Sequence, residues 1–370
     1  MKTALVHDWL NGMRGGEKVL EQMCQMYPDA RIHTLIYEPD RVSDSIRRMP
    51  VQSSFIQKLP KAHEKYRWYL PLFPSAVKRF NLAGFDLVLS SSHCVALGAR
   101  ADKKAVHVCY CHTPMRYAYE YFDDYFPPGS FNSLVRGIIR LNMARMRRWD
   151  RRASRGVDAF VANSLCVAER IRRIYGRNAR VVHPPVDTDF YTPSGTKEDF
   201  LLVVSALVPY KRLDIAVEAA NKAGEQLVVI GEGPERKRLE SLAGPTVKFL
   251  GWVDQETVRD HYRRARAFLF PGEEDFGITP LEAAACGTPV VAYARGGALE
   301  TVVEGITGVF FREQSADSLV AALKRIRDGK WEQGALRKRA LQFSPEKFRA
   351  GLASAIAEAA AGKGRMNAQL

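Results

Sequence analysis

Ala267-Phe-Leu-Phe270, Pro271-Gly-Glu-Glu-Asp-Phe-Gly277, Ile278-Thr-Pro-Leu-Glu-Ala-Ala-Ala285 is the stretch that decides the fold class. A short apolar run, an acidic loop bounded by glycines and an alanine-rich segment read as strand, loop and helix. Cys286-Gly287 closes the helix and Pro289 precedes the next apolar run. That is one βα unit of a parallel sheet. Amides near Phe276, Gly277 and Ile278 would open the helix without intrahelical partners, and with the helix dipole they suit an anion such as phosphate. Glu274 stands at the mouth of the loop, and Glu282 follows within the helix. Each acid also has a plainer reading. Thr279-Pro-Leu-Glu282 fits a capping box, with Thr279 as N-cap, Pro280 at N1 and Glu282 at N3. Glu274 fits a solvated loop acid.

The same rhythm runs outward in both directions. Candidate strands in the first half are Thr3–Val6, Ile32–Ile36, Asp86–Leu89, Val106–Cys109, Phe160–Ala162 and Val181–His183. Those in the second half are Leu201–Val204, Leu227–Ile230, Val247–Leu250, Ala267–Phe270, Val290–Tyr293 and Val309–Phe311. Two sets of similar number and spacing predict an α/β chain of two doubly wound domains, 1–187 and 198–344, joined by a Pro/Gly-rich linker at about 185–198. A helix over about 345–361 is expected to pack back on the first domain, with a disordered tail after it.

The totals fit this reading. The 370 residues are 46% hydrophobic and 26% charged, enough for two self-sufficient cores. Six cysteines without CxxC or metal-type spacing read as reduced thiols, which points to the cytoplasm. There is no apolar window of membrane-spanning length, and Met1-Lys-Thr-Ala-Leu-Val6 reads as a strand rather than a signal segment because His7-Asp8 cuts it short. The net charge of +14 implies an anionic partner: nucleic acid, nucleotide phosphate or an acidic bilayer.

Three further places carry chemistry. Lys211 and Arg212 follow the strand Leu201–Val204, at the carboxyl end where open α/β sheets bind ligands, and could neutralise a diphosphate leaving group; the plain alternative is a solvated basic turn. Gly15-Gly16 opens the helix after the first strand and lets the backbone approach a ligand, although the spacing is not GxGxxG. His112 and Arg116 fall where the strand Val106–Cys109 meets its loop, His112 beside a proline turn.

Together these motifs resemble glycosyltransferase family 4, the retaining enzymes of the GT-B fold, over nearly the whole chain. Glu274-Asp-Phe-Gly-Ile-Thr-Pro-Leu-Glu282 matches the family's E-x7-E motif. Gly296-Gly297, Glu300, Asn163-Ser164, Pro184-Pro-Val-Asp187, Gly231-Glu-Gly233 and Phe249-Leu-Gly-Trp-Val253 are also similar to it. Val208-Pro-Tyr-Lys-Arg212 and His112-Thr-Pro-Met-Arg-Tyr117 resemble bacterial polysaccharide and O-antigen mannosyltransferases. The resemblance implies two Rossmann-like domains facing a central cleft and transfer of a hexose, mannose from GDP-mannose first, to a glycan or lipid-linked acceptor. It implies catalytic roles for His112, Glu274 and Lys211. Donor contacts would come from Gly15, Gly16, Arg116, Lys211, Arg212, Val253, Glu274, Phe276, Gly277, Ile278 and Glu282. The co-substrate is a nucleotide-sugar, with no cofactor. One departure stands out: Ala206 occupies a position where many members have arginine.

Asp187-Thr-Asp189 is a DxD string, read here as a turn and helix start rather than a metal site, so full activity in EDTA is expected. Arginines crowd 136–155, and basic residues alternate with aromatics over 58–79, a pattern that suits an anionic bilayer surface or, more plainly, solvated helix faces. The expected location is therefore cytoplasmic, peripheral on the inner face of the membrane. A nucleic-acid-binding protein would leave the Glu, Gly and Lys sites unused, and no nucleic acid is expected. A UDP-sugar transferase and a nucleotide-sugar epimerase of the same fold stay open.

Overall fold

A computed structural model describes residues 1–368 apart from 121, 127, 128, 130 and 131. The chain divides into two compact units, Met1–Pro184 together with the segment from Phe348 onward, and Pro185–Lys347.

The first unit is built on seven parallel strands: β1 (Thr3–His7), β2 (Arg31–Thr34), β3 (Val51–Ser53), β4 (Leu87–Ser92), β5 (Val106–Cys111), β6 (Ala159–Ala162) and β7 (Ala179–Val181), in the order β3-β2-β1-β4-β5-β6-β7. Parallel strands covered on both faces read as unbroken apolar runs, which is why most of them were legible. β3 was not expected: Val-Gln-Ser is a polar, part-exposed edge strand with no apolar run. β4 and β5 run on past their expected ends through Ser90-Ser-Ser92 and Tyr110-Cys111, all buried. Side chains of β1 alternate between faces, Ala4 and Val6 joining Trp9, Phe73 and Val88, Leu5 joining Leu20, Met23 and Val108. Phe348, Leu352, Ala355 and Ile356 of the last helix sit in the same cluster as Leu5. That helix runs Pro345–Ala368, through most of the tail expected to be disordered; 369 and 370 lie outside the described residues.

The second unit holds β8 (Leu201–Val204), β9 (Leu227–Ile230), β10 (Val247–Gly251), β11 (Ala267–Phe270), β12 (Val290–Tyr293) and β13 (Gly308–Phe311), all parallel, in the order β10-β9-β8-β11-β12-β13. Leu202, Phe268 and Phe270 pack into one core layer, and Leu201, Val203, Ala267 and Leu269 into the other.

In both sheets the strand order reverses once, between β1 and β4 and between β8 and β11. The carboxyl ends of the strands at such a reversal are where open α/β sheets bind ligands. Among the described residues no helix is long and apolar enough to cross a membrane.

Candidate active site

In the second unit the loops after β8 and β11 meet at the reversal point. The chain leaves β8, makes a short turn over Pro209–Lys211 and starts the helix Leu213–Ala223. Lys211 Nζ forms an ion pair with the carboxylate of Glu274 from the loop after β11, both side chains part-buried. Glu274 is therefore not the solvated acid of the plainer reading. Glycines press the loops together: a Cβ on Gly272 would lie 2.9 Å from Lys211 Cα, and one on Gly297 would lie 2.1 Å from Phe276 Cα. The N–H of Gly297 donates to the Glu274 carbonyl at 2.8 Å. Lys211, Glu274, Phe276, Gly277 and Ile278 are thus gathered on one side of the sheet.

The helix after this loop is Ile278–Ala285, with Gly277 at its N-cap in a left-handed conformation (φ +91°). It starts ahead of Thr279, so Thr279 sits in the first turn and the capping box of the plainer reading does not form. Pro280 is tolerated because first-turn amides need no intrahelical acceptor. Glu282 is 5% exposed, and accepts a hydrogen bond from the Tyr262 hydroxyl at 3.1 Å. Arg212 takes a left-handed backbone (φ +51°), and its guanidinium binds Asp214 at 3.1 Å and Gln314 at 3.5 Å. The structure therefore joins Lys211 to Glu274 and commits Arg212 to its own helix start. Val253 is part-buried against the core layer that includes Phe268, next to the exposed Trp252.

In the first unit the polar residues also gather at the reversal point. β1 ends in His7, β4 in Ser91-Ser92, and His112 follows β5, donating its backbone N–H to the Ser92 carbonyl at 2.8 Å. Ser91 Oγ lies 3.0 Å from His7 Nδ1 and 2.8 Å from His112 Nε2. The carbonyl of His112 accepts from Asn163 Nδ2 at 2.9 Å. Burial, then the neighbouring His93 and His7, hold the His112 imidazole well below its ordinary pKa, so the ring is neutral. Gly15 opens the helix Gly15–Met26, and a Cβ on Gly16 would stand 3.6 Å from His7 Cε1 and 3.7 Å from His112 Nε2. Asp8 is fully buried and accepts four backbone N–H bonds, from His93, Cys94, Val95 and Ala96, at 2.7–2.9 Å. Arg116 starts the short helix Arg116–Tyr119, half-buried.

His7, Asp8, Glu17, Ser91 and His93 lie outside the sequence motifs. Their signal was present in part: a run of serines at the end of an apolar strand, and His-Asp directly after another, both at carboxyl ends.

Two family models divide the chain between them. "Glycosyltransferase Family 4" matches residues 13–190, and "Glycosyl transferases group 1" matches 188–343. Among curated proteins, a D-inositol 3-phosphate glycosyltransferase of Geodermatophilus obscurus is 34% identical over 46% of this chain and 45% of its own length. A GDP-mannose-dependent alpha-(1-6)-phosphatidylinositol monomannoside mannosyltransferase of Mycolicibacterium smegmatis is 29% identical over 47% of this chain and 54% of its own. The matches thus span about half the length of these relatives. Among solved structures, the lipopolysaccharide outer core galactosyltransferase WaaB is similar with a TM-score of 0.69 at 16% identity, covering 97% of this chain and 99% of that one. Anabaena HepE in complex with UDP follows at 0.68 and 17%, covering 97% and 100%.

Proposed function

The chain belongs to glycosyltransferase family 4 and has the GT-B fold of two Rossmann-like units; from that premise we propose that it is a retaining glycosyltransferase using a nucleotide-diphosphate sugar. The observation that carries the reading is the Lys211–Glu274 pair at the strand reversal of the second unit, beside the start of the helix Ile278–Ala285. A lysine, a helix start and a glycine-lined loop there suit a diphosphate. Lys211 and the first-turn amides would take up the charge that grows on the leaving phosphate as the glycosidic bond breaks. Glu274 would hold hydroxyls of the donor sugar, and Glu282, fixed by Tyr262, would meet the ribose from the nucleoside side. The acceptor hydroxyl attacks the face from which the nucleoside diphosphate departs, and configuration is retained. His112, neutral and beside Gly16, contributes a hydrogen bond to the transferred sugar.

The donor we propose is GDP-mannose, supported by the Mycolicibacterium relative's name and by the segments Val208–Arg212 and His112–Tyr117. A UDP-hexose is the second reading, favoured by the UDP bound in the HepE structure. The acceptor we propose is a glycan or lipid-linked oligosaccharide of a bacterial surface polysaccharide, met at an anionic bilayer surface. Support for the bilayer comes from the helix Ser133–Ala153, whose Leu134, Ile138, Leu141, Arg145, Arg148 and Arg152 are all exposed at helical spacing along one stripe.

Thermal unfolding in EDTA with GDP, UDP, ADP or no nucleotide tests the donor. A ligand at about 100 times its Kd adds roughly 2.7 kcal/mol. Stabilisation by GDP that disappears in Glu282→Ala is the expected result. Stabilisation by UDP alone moves the donor to UDP-hexose, and no response to any of the three removes the transferase reading.

A further inference from the structure

We propose that Glu17, His7 and Ser91 form a buried chain that decides which ring nitrogen of His112 carries the proton, leaving His112 Nδ1 as the acceptor for a hydroxyl of the transferred sugar. The inference rests on the transferase reading for its sugar, but the chain itself stands on geometry.

Three adjacent parallel strands deliver His7, Ser91 and His112, and the helix Gly15–Met26 delivers Glu17. His7 lies opposite Ser91 in the β1–β4 register, and β5, paired to β4, leads directly into His112. Ser91 Oγ is within hydrogen-bond reach of both imidazoles, at 3.0 Å from His7 Nδ1 and 2.8 Å from His112 Nε2. A hydroxyl has one proton, so Ser91 donates to one ring and accepts from the other. Two arrangements satisfy it, and they place opposite nitrogens of His112 in the protonated state.

Glu17 chooses between them. One carboxylate oxygen accepts the Arg14 N–H at 3.0 Å, while Oε1 faces His7 Nε2 at 3.9 Å, the two side chains 4% and 0% exposed. Burial alone would raise the Glu17 pKa, but the neighbouring His7 and His93 outweigh that and hold it low. Glu17 is therefore a carboxylate, which only accepts. A proton on His7 Nε2 meets it favourably; a lone pair there would face the carboxylate inside a medium that screens poorly. With Nε2 protonated, His7 Nδ1 accepts the Ser91 O–H. Ser91 Oγ then accepts Nε2–H of His112, and His112 Nδ1 keeps its lone pair. The remaining imidazole nearby, His93, is held by Asp8 at 3.2 Å, with its ring 6.2 Å from each of the other two, so it does not compete for Ser91. Among the described residues no three of these histidines and carboxylates are placed to share a metal ion.

Glu17, His7 and Ser91 are thus positioning residues, acting on the sugar through His112. The test is two-bond nitrogen–proton NMR of the full chain labelled with ¹⁵N in its histidine rings, with His112 assigned by its loss in His112→Asn. The expected spectrum shows His112 protonated on Nε2 and bare on Nδ1. In Glu17→Gln the side-chain amide donates to His7 Nε2, the chain inverts, and the proton of His112 moves to Nδ1; in Ser91→Ala the fixed preference is lost. Glu17→Gln should lower kcat with GDP-mannose about tenfold, the worth of one hydrogen bond in the wrong sense, and leave the donor KM within about twofold. Wild-type His112 protonated on Nδ1, or a Glu17→Gln spectrum identical to wild type, overturns the proposal. A protein that shows the expected tautomers yet transfers no hexose from GDP- or UDP-sugars keeps the chain and loses the transferase reading.

Discussion

Lys211 and Glu274 neutralise one another across the strand reversal of the second unit, and a donor diphosphate would recruit the lysine from that pair. The lysine's worth then lies in the charge that develops on the leaving phosphate. Removing one preorganised donor of this kind costs on the order of 10²–10³ in turnover. Lys211→Ala is therefore expected to lose at least about a hundredfold in kcat while unfolding at close to the wild-type temperature; near-normal turnover takes Lys211 out of the mechanism. Both partners were legible because each follows an apolar strand within a recognisable motif. Arg212 reads the same way in sequence, yet a left-handed backbone turns it onto Asp214 two residues along. Glu282 was legible as a motif residue but ambiguous in role: Thr279-Pro-Leu-Glu282 has the spacing of a cap, and only Gly277 at φ +91° starts the helix early enough to cancel it. His7, Ser91 and Glu17 escaped because a link through one hydroxyl needs the strand register, which no local pattern carries.

At the scale of elements, the helix Ser133–Ala153 sorts its arginines. Arg136 is engaged by Asp123 and the Phe126 carbonyl, and Arg147 by the Ala118 carbonyl. Arg145, Arg148 and Arg152 stay exposed, in line with Leu134, Ile138 and Leu141, which are 73%, 52% and 64% exposed. An apolar half-stripe continued by a cationic half-stripe matches a bilayer surface, with the leucines and isoleucine in the acyl boundary and the arginines on lipid phosphates. Each arginine near an anionic surface is worth about 1 kcal/mol, so the Arg145→Gln, Arg148→Gln, Arg152→Gln triple variant should bind anionic liposomes about a hundredfold more weakly in flotation. Wild-type protein that fails to float with anionic vesicles leaves the stripe as an ordinary solvated face. The crowding of arginines was plain in the sequence, whereas their division into bound and exposed sets depends on Asp123 and on carbonyls that only the fold brings near. The strands show the same contrast: β8, β9, β11 and β12 were readable to the residue as buried apolar runs, and β3, with one buried-type residue in three, was not.

For the molecule as a whole, each unit has its own core, and the first unit keeps a titrating group in its interior. Asp150 is fully buried, and its Oδ2 accepts from the hydroxyls of Tyr119 at 2.9 Å and Tyr175 at 2.7 Å. Burial raises its pKa more than these bonds lower it, and the charge of Asp8 adds to the rise, bringing it to about 7 from an ordinary 3.8. The folded state thus holds this proton more tightly than the unfolded chain does. Its contribution to stability is fully present below about pH 4 and is lost as pH rises through about 7. Between pH 5 and pH 8 the loss is roughly 2–3 kcal/mol, or about 5–10 °C in Tm for a unit of this size. Asp150→Asn removes the titration and leaves every other carboxyl and imidazole in place, so the comparison isolates one group. The variant's Tm relative to wild type should climb by about that amount from pH 5 to pH 8, whatever the offset at pH 5 from an amide facing the site of Oδ1. GDP or UDP, if bound to the second unit, would raise Tm in both proteins without changing the slope of their difference. Parallel Tm curves for the two proteins across this range would mean that Asp150 is ionised in the folded state throughout, and that its two tyrosines offset the burial of its charge.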